Sequence, residues 1–139
     1  MDKAIHRFGS SDRNTRLELL LDYSRSLPPL PERFHAARDQ GLYNVPECQS
    51  PVFLLLERED GGVVLHADAP REAPTVRGFV SLLARTLKGA TPAQVADLPP
   101  DLLDRLGLAE ALGMTRMHGL TAMVGRLKRM AAQLPASTA

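Results

Sequence analysis

The chain has a single cysteine, no tryptophan, and only two tyrosines and four phenylalanines among its 139 residues. One cysteine cannot close an internal disulfide, so nothing in the fold asks for an oxidising compartment. The four histidines, His6, His35, His66 and His118, share no ligand spacing with one another or with Cys48, which argues against a zinc site. An aromatic content of 4% supplies no stacking platform for single-stranded nucleic acid. Excess charge is missing as well. Seventeen Lys+Arg against sixteen Asp+Glu leave a net +1, which argues against nucleic-acid binding through a broad basic surface. No apolar run approaches the roughly 20 residues of a membrane span, and the first residues lack the apolar core of a secretion signal. Phosphate-cradling glycine motifs, a serine nucleophile elbow and internal repeats are all absent. What remains is the expectation of a cytoplasmic protein with one domain over residues 1–139, fraying at 1–10 and 135–139.

What is there reads as an α+β domain. From Asp12 to Ser26 the pattern is helical, with Leu17, Leu20, Leu21, Ser24 and Leu27 on one face, Ser10 or Ser11 as cap and Pro28-Pro29 as stop. Leu27-Pro28-Pro29-Leu30-Pro31 is an extended strap. Glu32 to Leu42 holds a short helical turn around Phe34 and Ala37. Val52 to Arg58, Asp60-Gly61-Gly62 and Val63 to Ala67 form a strong hairpin signal, and Tyr43 to Pro46 is a candidate third strand. The run Val52 to Leu56 does not alternate, so part of that strand is covered on both faces or meets a partner. Val76, Phe79, Val80, Leu83 and Leu87 make the cleanest amphipathic stripe in the chain. Short helices after Thr91 and Pro100, then a long one from Thr115 to Leu134, complete a small antiparallel sheet of about three strands packed against several helices.

Chemistry concentrates at Cys48. It sits in Asn44-Val45-Pro46-Glu47-Cys48-Gln49-Ser50-Pro51-Val52-Phe53, between two prolines that push Val45 and Ser50 towards extended backbone. A lone thiol on such a stiff loop is either buried filler or a presented nucleophile. Glu47 opposes a thiolate; Arg77 or Arg116 would offset it if the fold brings one close. The residues alone leave both readings open.

Taken together, these motifs resemble the SufE family (SufE/CsdE-like), sulfur-acceptor proteins that work with cysteine desulfurases. The resemblance rests on the proline strap, the Cys48 stretch, Val76-Arg77-Gly78-Phe79 and Thr115-Arg116-Met117-His118-Gly119-Leu120, and spans about residues 12 to 134. It implies a SufE/IscU-like fold and a sulfur acceptor in iron–sulfur cluster assembly. Cys48 would be the thiol that takes sulfane sulfur as a persulfide. Glu47, Gln49, Ser50, Arg71, Glu72, Arg77 and Arg116 would be the residues facing the partner. That partner would be a desulfurase of the SufS kind, which carries pyridoxal phosphate. A SufBCD-like scaffold would receive the sulfur, and this chain would need no cofactor of its own. Two departures stand out: Glu47 replaces the family's usual glycine before the cysteine, and Phe53 its usual tryptophan. A paralogous sulfur relay for another desulfurase, and an interaction module with a structural Cys48, are the alternatives.

Overall fold

The most apolar runs of the chain form a hairpin and the helix that covers it, and the other helices close around this pair. The computed structural model describes residues 1–134. Helices α1 (Asp2–Gly9) and α2 (Arg13–Arg25) lead into the proline strap, a single 3₁₀ turn at Glu32–Phe34 and the short α3 (His35–Asp39). The hairpin β1 (Phe53–Glu59) and β2 (Gly62–Asp68) follows, then α4 (Pro74–Leu87), the short α5 (Pro92–Ala96), α6 (Leu102–Arg105) and α7 (Ala109–Leu112), and finally α8 (Met114–Gln133). This is the α+β architecture expected of the sequence.

The hairpin turns on Asp60 and Gly61, both at positive φ (51° and 82°), the conformation that matches the right-handed twist of paired strands. Its register, Phe53 opposite Asp68 through Glu59 opposite Gly62, separates the two faces cleanly. Leu54, Leu56, Val63, Leu65 and Ala67 point into the main core, each at most 5% exposed. On the other face Phe53 joins Leu30 and Phe34 in a second, smaller core, with Leu55 at its edge. The strap delivers Phe34 to within 5.9 Å of Phe53 and 4.8 Å of His66, ring centre to ring centre. That second core explains why β1 is apolar without alternation. It also takes His66 largely out of solvent, since His66 pairs with Glu57 at 2.9 Å beneath Phe34.

Three expectations need correction. The N-terminus is not frayed at residues 1–10: Ala4 and Phe8 are buried on one side of α1, and Phe8 is fully enclosed with its ring 6.2 Å from that of Tyr23. Two buried residues one turn apart suffice to hold so short a helix against a core, a tertiary effect that eight residues of local pattern do not reveal. Residues 135–139 lie outside the described residues. The cap of α2 is Asp12, whose carboxylate accepts from the Thr15 N–H at 2.8 Å, and not Ser10 or Ser11. The third strand reduces to a bridge of Asn44 against Phe53, so the sheet has two strands among the described residues. No helix among them is long and apolar enough to cross a membrane.

The main helix pair, α2 against α4, depends on Gly78. A Cβ there would overlap the backbone carbonyl of Leu20, so the two helices approach as closely as they do only because residue 78 has no side chain. Backbone cannot swing aside as a flexible side chain can. We expect Gly78→Ala to destabilise the protein by about 1–3 kcal/mol. Urea unfolding should show it as a lower midpoint with an unchanged slope; an unaltered midpoint would mean the helices sit further apart.

Candidate functional site

Cys48 is carried on a loop whose two feet are locked into the core. Val45 and Val52 are both fully buried, and the Val45 N–H donates to the Val52 carbonyl at 3.1 Å. The Asn44 side-chain oxygen accepts from the Val52 N–H at 2.9 Å, and the Leu54 N–H donates to the Tyr43 carbonyl at 3.1 Å. Six residues, Pro46 to Pro51, therefore close over a span of one strand pair. The prolines at each end have no N–H to offer a ladder, so the pairing stops there and the chain turns. Within the loop the Cys48 N–H donates back to the Val45 carbonyl at 3.1 Å, which makes a tight turn and places the thiol at its tip.

The tip rests on α8. A Cβ at Gly119 would lie 3.0 Å from Cys48 Sγ, 3.3 Å from Cys48 Cα and 3.5 Å from the Glu47 carbonyl. Gly119 is thus the floor beneath the thiol, and its lack of a side chain admits the sulfur. A glycine inside a 20-residue helix costs roughly 1 kcal/mol relative to alanine, a signal that something approaches closely there. Gly119 belongs to the buried side of α8, where Leu120, Met123, Val124 and Leu127 fix the helix against the core.

Around the tip, Pro46, Glu47 and Gln49 are exposed, while Ser50 and Cys48 itself are half-buried. Burial, and after it the neighbouring Glu47 carboxylate, push the Cys48 thiol up to about 11. The helix dipole gives no relief. Gly119 is the sixth residue of α8, beyond the first turn over which the positive end of a helix acts. At rest Cys48 is a protonated, sheltered thiol.

The remaining sequence-selected residues fall into two groups. Arg116 is exposed on α8 and lies one turn before Gly119, on the same face of the helix as the thiol's floor. Arg71 and Glu72 are exposed on the loop between β2 and α4. That loop and the Cys48 loop form two walls of one cavity of about 410 Å³: Asn44 and Pro51 stand on one side, Asp68, Ala69 and Pro70 on the other. Arg77 has a different position. Its guanidinium is largely buried and donates to the carbonyls of Ser24 and Ala69 and to Asp68, tying the start of α4 to the end of α2 and to the end of β2. Asp68 also holds Arg38 of α3 at 3.0 Å. Asn44 and Gly119 carry no chemical signal in the sequence beyond their motifs, and their contacts give each a physical task. Among the described residues no group of three or more His, Cys, Asp or Glu could hold a metal ion.

A family model described as "SufE: Fe-S metabolism associated domain" matches residues 2–131. Among curated proteins, a SufE-like protein of Mycobacterium tuberculosis is 40% identical over 128 residues, covering 91% of this chain and 87% of that protein. The sulfur acceptor protein CsdE of Escherichia coli is 30% identical over 105 residues, 75% of this chain and 68% of that one. Among solved structures, the solution structure of a hypothetical protein from Thermus thermophilus superposes with a TM-score of 0.84 at 34% identity, covering 98% of this chain and 96% of the other.

Three outcomes test the site. Alkylation of Cys48 by iodoacetamide should rise with pH to a half-maximum near 11, and Glu47→Gln should move that midpoint down by removing the second cause of the shift. The sign follows for stability too. The folded state retains the proton that the unfolded chain loses at 9.0, so the thiol's contribution is complete below pH 9 and disappears as pH rises to about 11. The stability difference between wild type and Cys48→Ser should narrow over that window. Separately, Gly119→Ala should lift the thiol off α8, and its alkylation at neutral pH should become faster than in wild type. A slower rate would place the sulfur elsewhere.

Proposed function

The chain belongs to the SufE family, and on that premise we propose that it is a sulfur acceptor in iron–sulfur metabolism whose Cys48 carries the sulfur. The observation that supports this most directly is the presentation of Cys48. The chain's one thiol sits at the tip of a loop clamped at both feet, over a helix glycine whose missing side chain admits the sulfur. A buried structural cysteine needs no such frame.

The donor in this reading is a pyridoxal-phosphate cysteine desulfurase of the SufS kind that holds sulfur as a persulfide on its own cysteine. The Cys48 thiol first gives up its proton. Its thiolate then attacks the outer sulfur of the donor persulfide, in the manner of thiol–disulfide exchange. A new S–S bond forms at Cys48 as the donor's S–S bond breaks, and the electron pair of the broken bond returns to the donor cysteine as thiolate. No net oxidation occurs, so the acceptor needs no cofactor. By removing sulfur from the donor the acceptor also turns the desulfurase over faster. A scaffold of the SufBCD kind then accepts the sulfur.

A thiol held near 11 is a poor nucleophile at neutral pH, because little of it is thiolate. Partner binding must therefore do electrostatic work: lift the loop from Gly119, or bring a cation beside the sulfur. In this reading Gln49, Arg71, Glu72 and Arg116 make the contacts with the partner, and their exposure supports it. Glu47, where a glycine is usual, makes the resting thiol harder still to ionise, which keeps it unreactive towards solvent oxidants until the partner arrives. The same sheltered thiol is what favours the reading of a purely structural Cys48.

Intact-mass measurement after incubation with a cysteine desulfurase and cysteine decides between them. The wild-type protein should gain one sulfur atom, removable by reductant and mapped to Cys48. The Cys48→Ser variant should gain none and still bind the desulfurase. Full stimulation of the desulfurase by that variant would overturn the acceptor role.

A further inference from the structure

A groove runs between the outer edge of β1 and the last turns of α8, about 420 Å³ in one stretch and about 630 Å³ in the adjoining one. Tyr43, Leu55, Leu56 and Leu134 line both stretches, with Met130 in the first and Leu42 in the second. Leu42 and Tyr43 are the large apolar residues it leaves to solvent, 52% and 44% exposed. Exposed apolar surface gathered in one place usually has a partner.

Two unmet polar needs accompany it. Among the described residues, the outer edge of β1 is held at its start, where the Leu54 N–H reaches the Tyr43 carbonyl. Strand alternation aims the N–H and C=O of Leu56 in the same direction, and among the described residues no hydrogen bond reaches either. On the other wall, Arg126 Nε is buried and has no hydrogen-bond partner. A buried guanidinium N–H without an acceptor is costly, and such orphans point to a missing group. Arg129 adds a second positive charge. Among the described residues, Glu57 is the one acid lining the groove, and it is already engaged by Arg33 at 2.7 Å and His66 at 2.9 Å.

We propose that this groove docks an extended segment of a partner protein, apolar and carrying a carboxylate, which adds to β1 at Leu56 and sets its carboxylate against Arg126. Such strand addition draws affinity from main-chain bonds and specificity from alternate side chains. The chain's own next residues, Pro135-Ala136-Ser137-Thr138-Ala139, carry neither a side-chain carboxylate nor a large apolar group. The groove is also continuous with the thiol's surroundings. Arg126 follows Gly119 by seven residues, two turns and about 10 Å along one face of α8, and Tyr43 leads directly into the Cys48 loop. The inference goes beyond sulfur transfer and does not depend on it.

The test uses the full chain and two fluorescein-labelled peptides of about seven residues, one alternating valine with glutamate and one alternating valine with lysine. Fluorescence anisotropy should show binding of the glutamate peptide alone. Arg126→Gln should weaken it roughly tenfold, the loss of one charge-assisted hydrogen bond, and Arg126→Lys should recover part of that. Neither variant should change Cys48 alkylation. By NMR, the Leu56 amide should exchange freely in the unbound protein and become protected with peptide. Absent binding, equal binding of the lysine peptide, or an Arg126→Gln variant that binds as wild type would overturn the proposal. So would a Leu56 amide protected without peptide. Self-association abolished by Arg126→Gln would assign the groove to a second copy and overturn it equally.

Discussion

The position of Cys48 depends on a clamp of two valines. Val45 and Val52 are fully buried and hydrogen-bonded to one another, and Asn44 adds a side-chain bond to the same strand end. Burying two valine side chains is worth about 1.5–3 kcal/mol each, which is large beside the entropy of a six-residue loop that two prolines have already stiffened. The clamp is therefore strong where it grips the core, and the tip it carries has few interactions beyond its turn and Gly119. A loop built this way can move its thiol without disturbing the sheet behind it.

That arrangement resolves the apparent conflict at the site. A thiol raised to about 11 by burial and by Glu47 is badly prepared to attack, yet it is well prepared to wait. Reactivity is then conditional on contact. In the proposed transfer a partner changes the dielectric and the charge around the sulfur, and the exposed residues on the Cys48 loop, on the loop after β2 and on the first turn of α8 are the ones it would meet. The open Leu56 position on the edge of β1 and the orphaned Arg126 Nε extend that surface along α8, away from the chemistry.

Other parts of the structure hold this surface in place. Arg77 and Asp68 join α2, α4, α3 and the end of β2 into one frame, so the cavity beside the Cys48 loop has rigid walls. Gly78 brings α4 against α2. On the outer face of the sheet, Phe34 is brought over Phe53 by the proline strap and covers what would otherwise be an exposed apolar strand.

Local chemistry made much of this legible in the residues themselves. The Asp60-Gly61 turn, the stripe on α4, the start of a short helix after Thr91 and the stiff loop around Cys48 each follow from rules that act within a few positions, and so they could be read without the fold. The α+β class followed from their order. What only the tertiary structure decided were contacts between residues far apart in sequence. Leu20 against Gly78, Cys48 against Gly119, and Arg77 turned inward to Ser24 and Ala69 leave no mark on local pattern, because a glycine or an arginine looks the same in sequence whatever approaches it. The helix at residues 2–9 belongs with them: Phe8 is ordered by the core it enters, and that core is assembled from the rest of the chain.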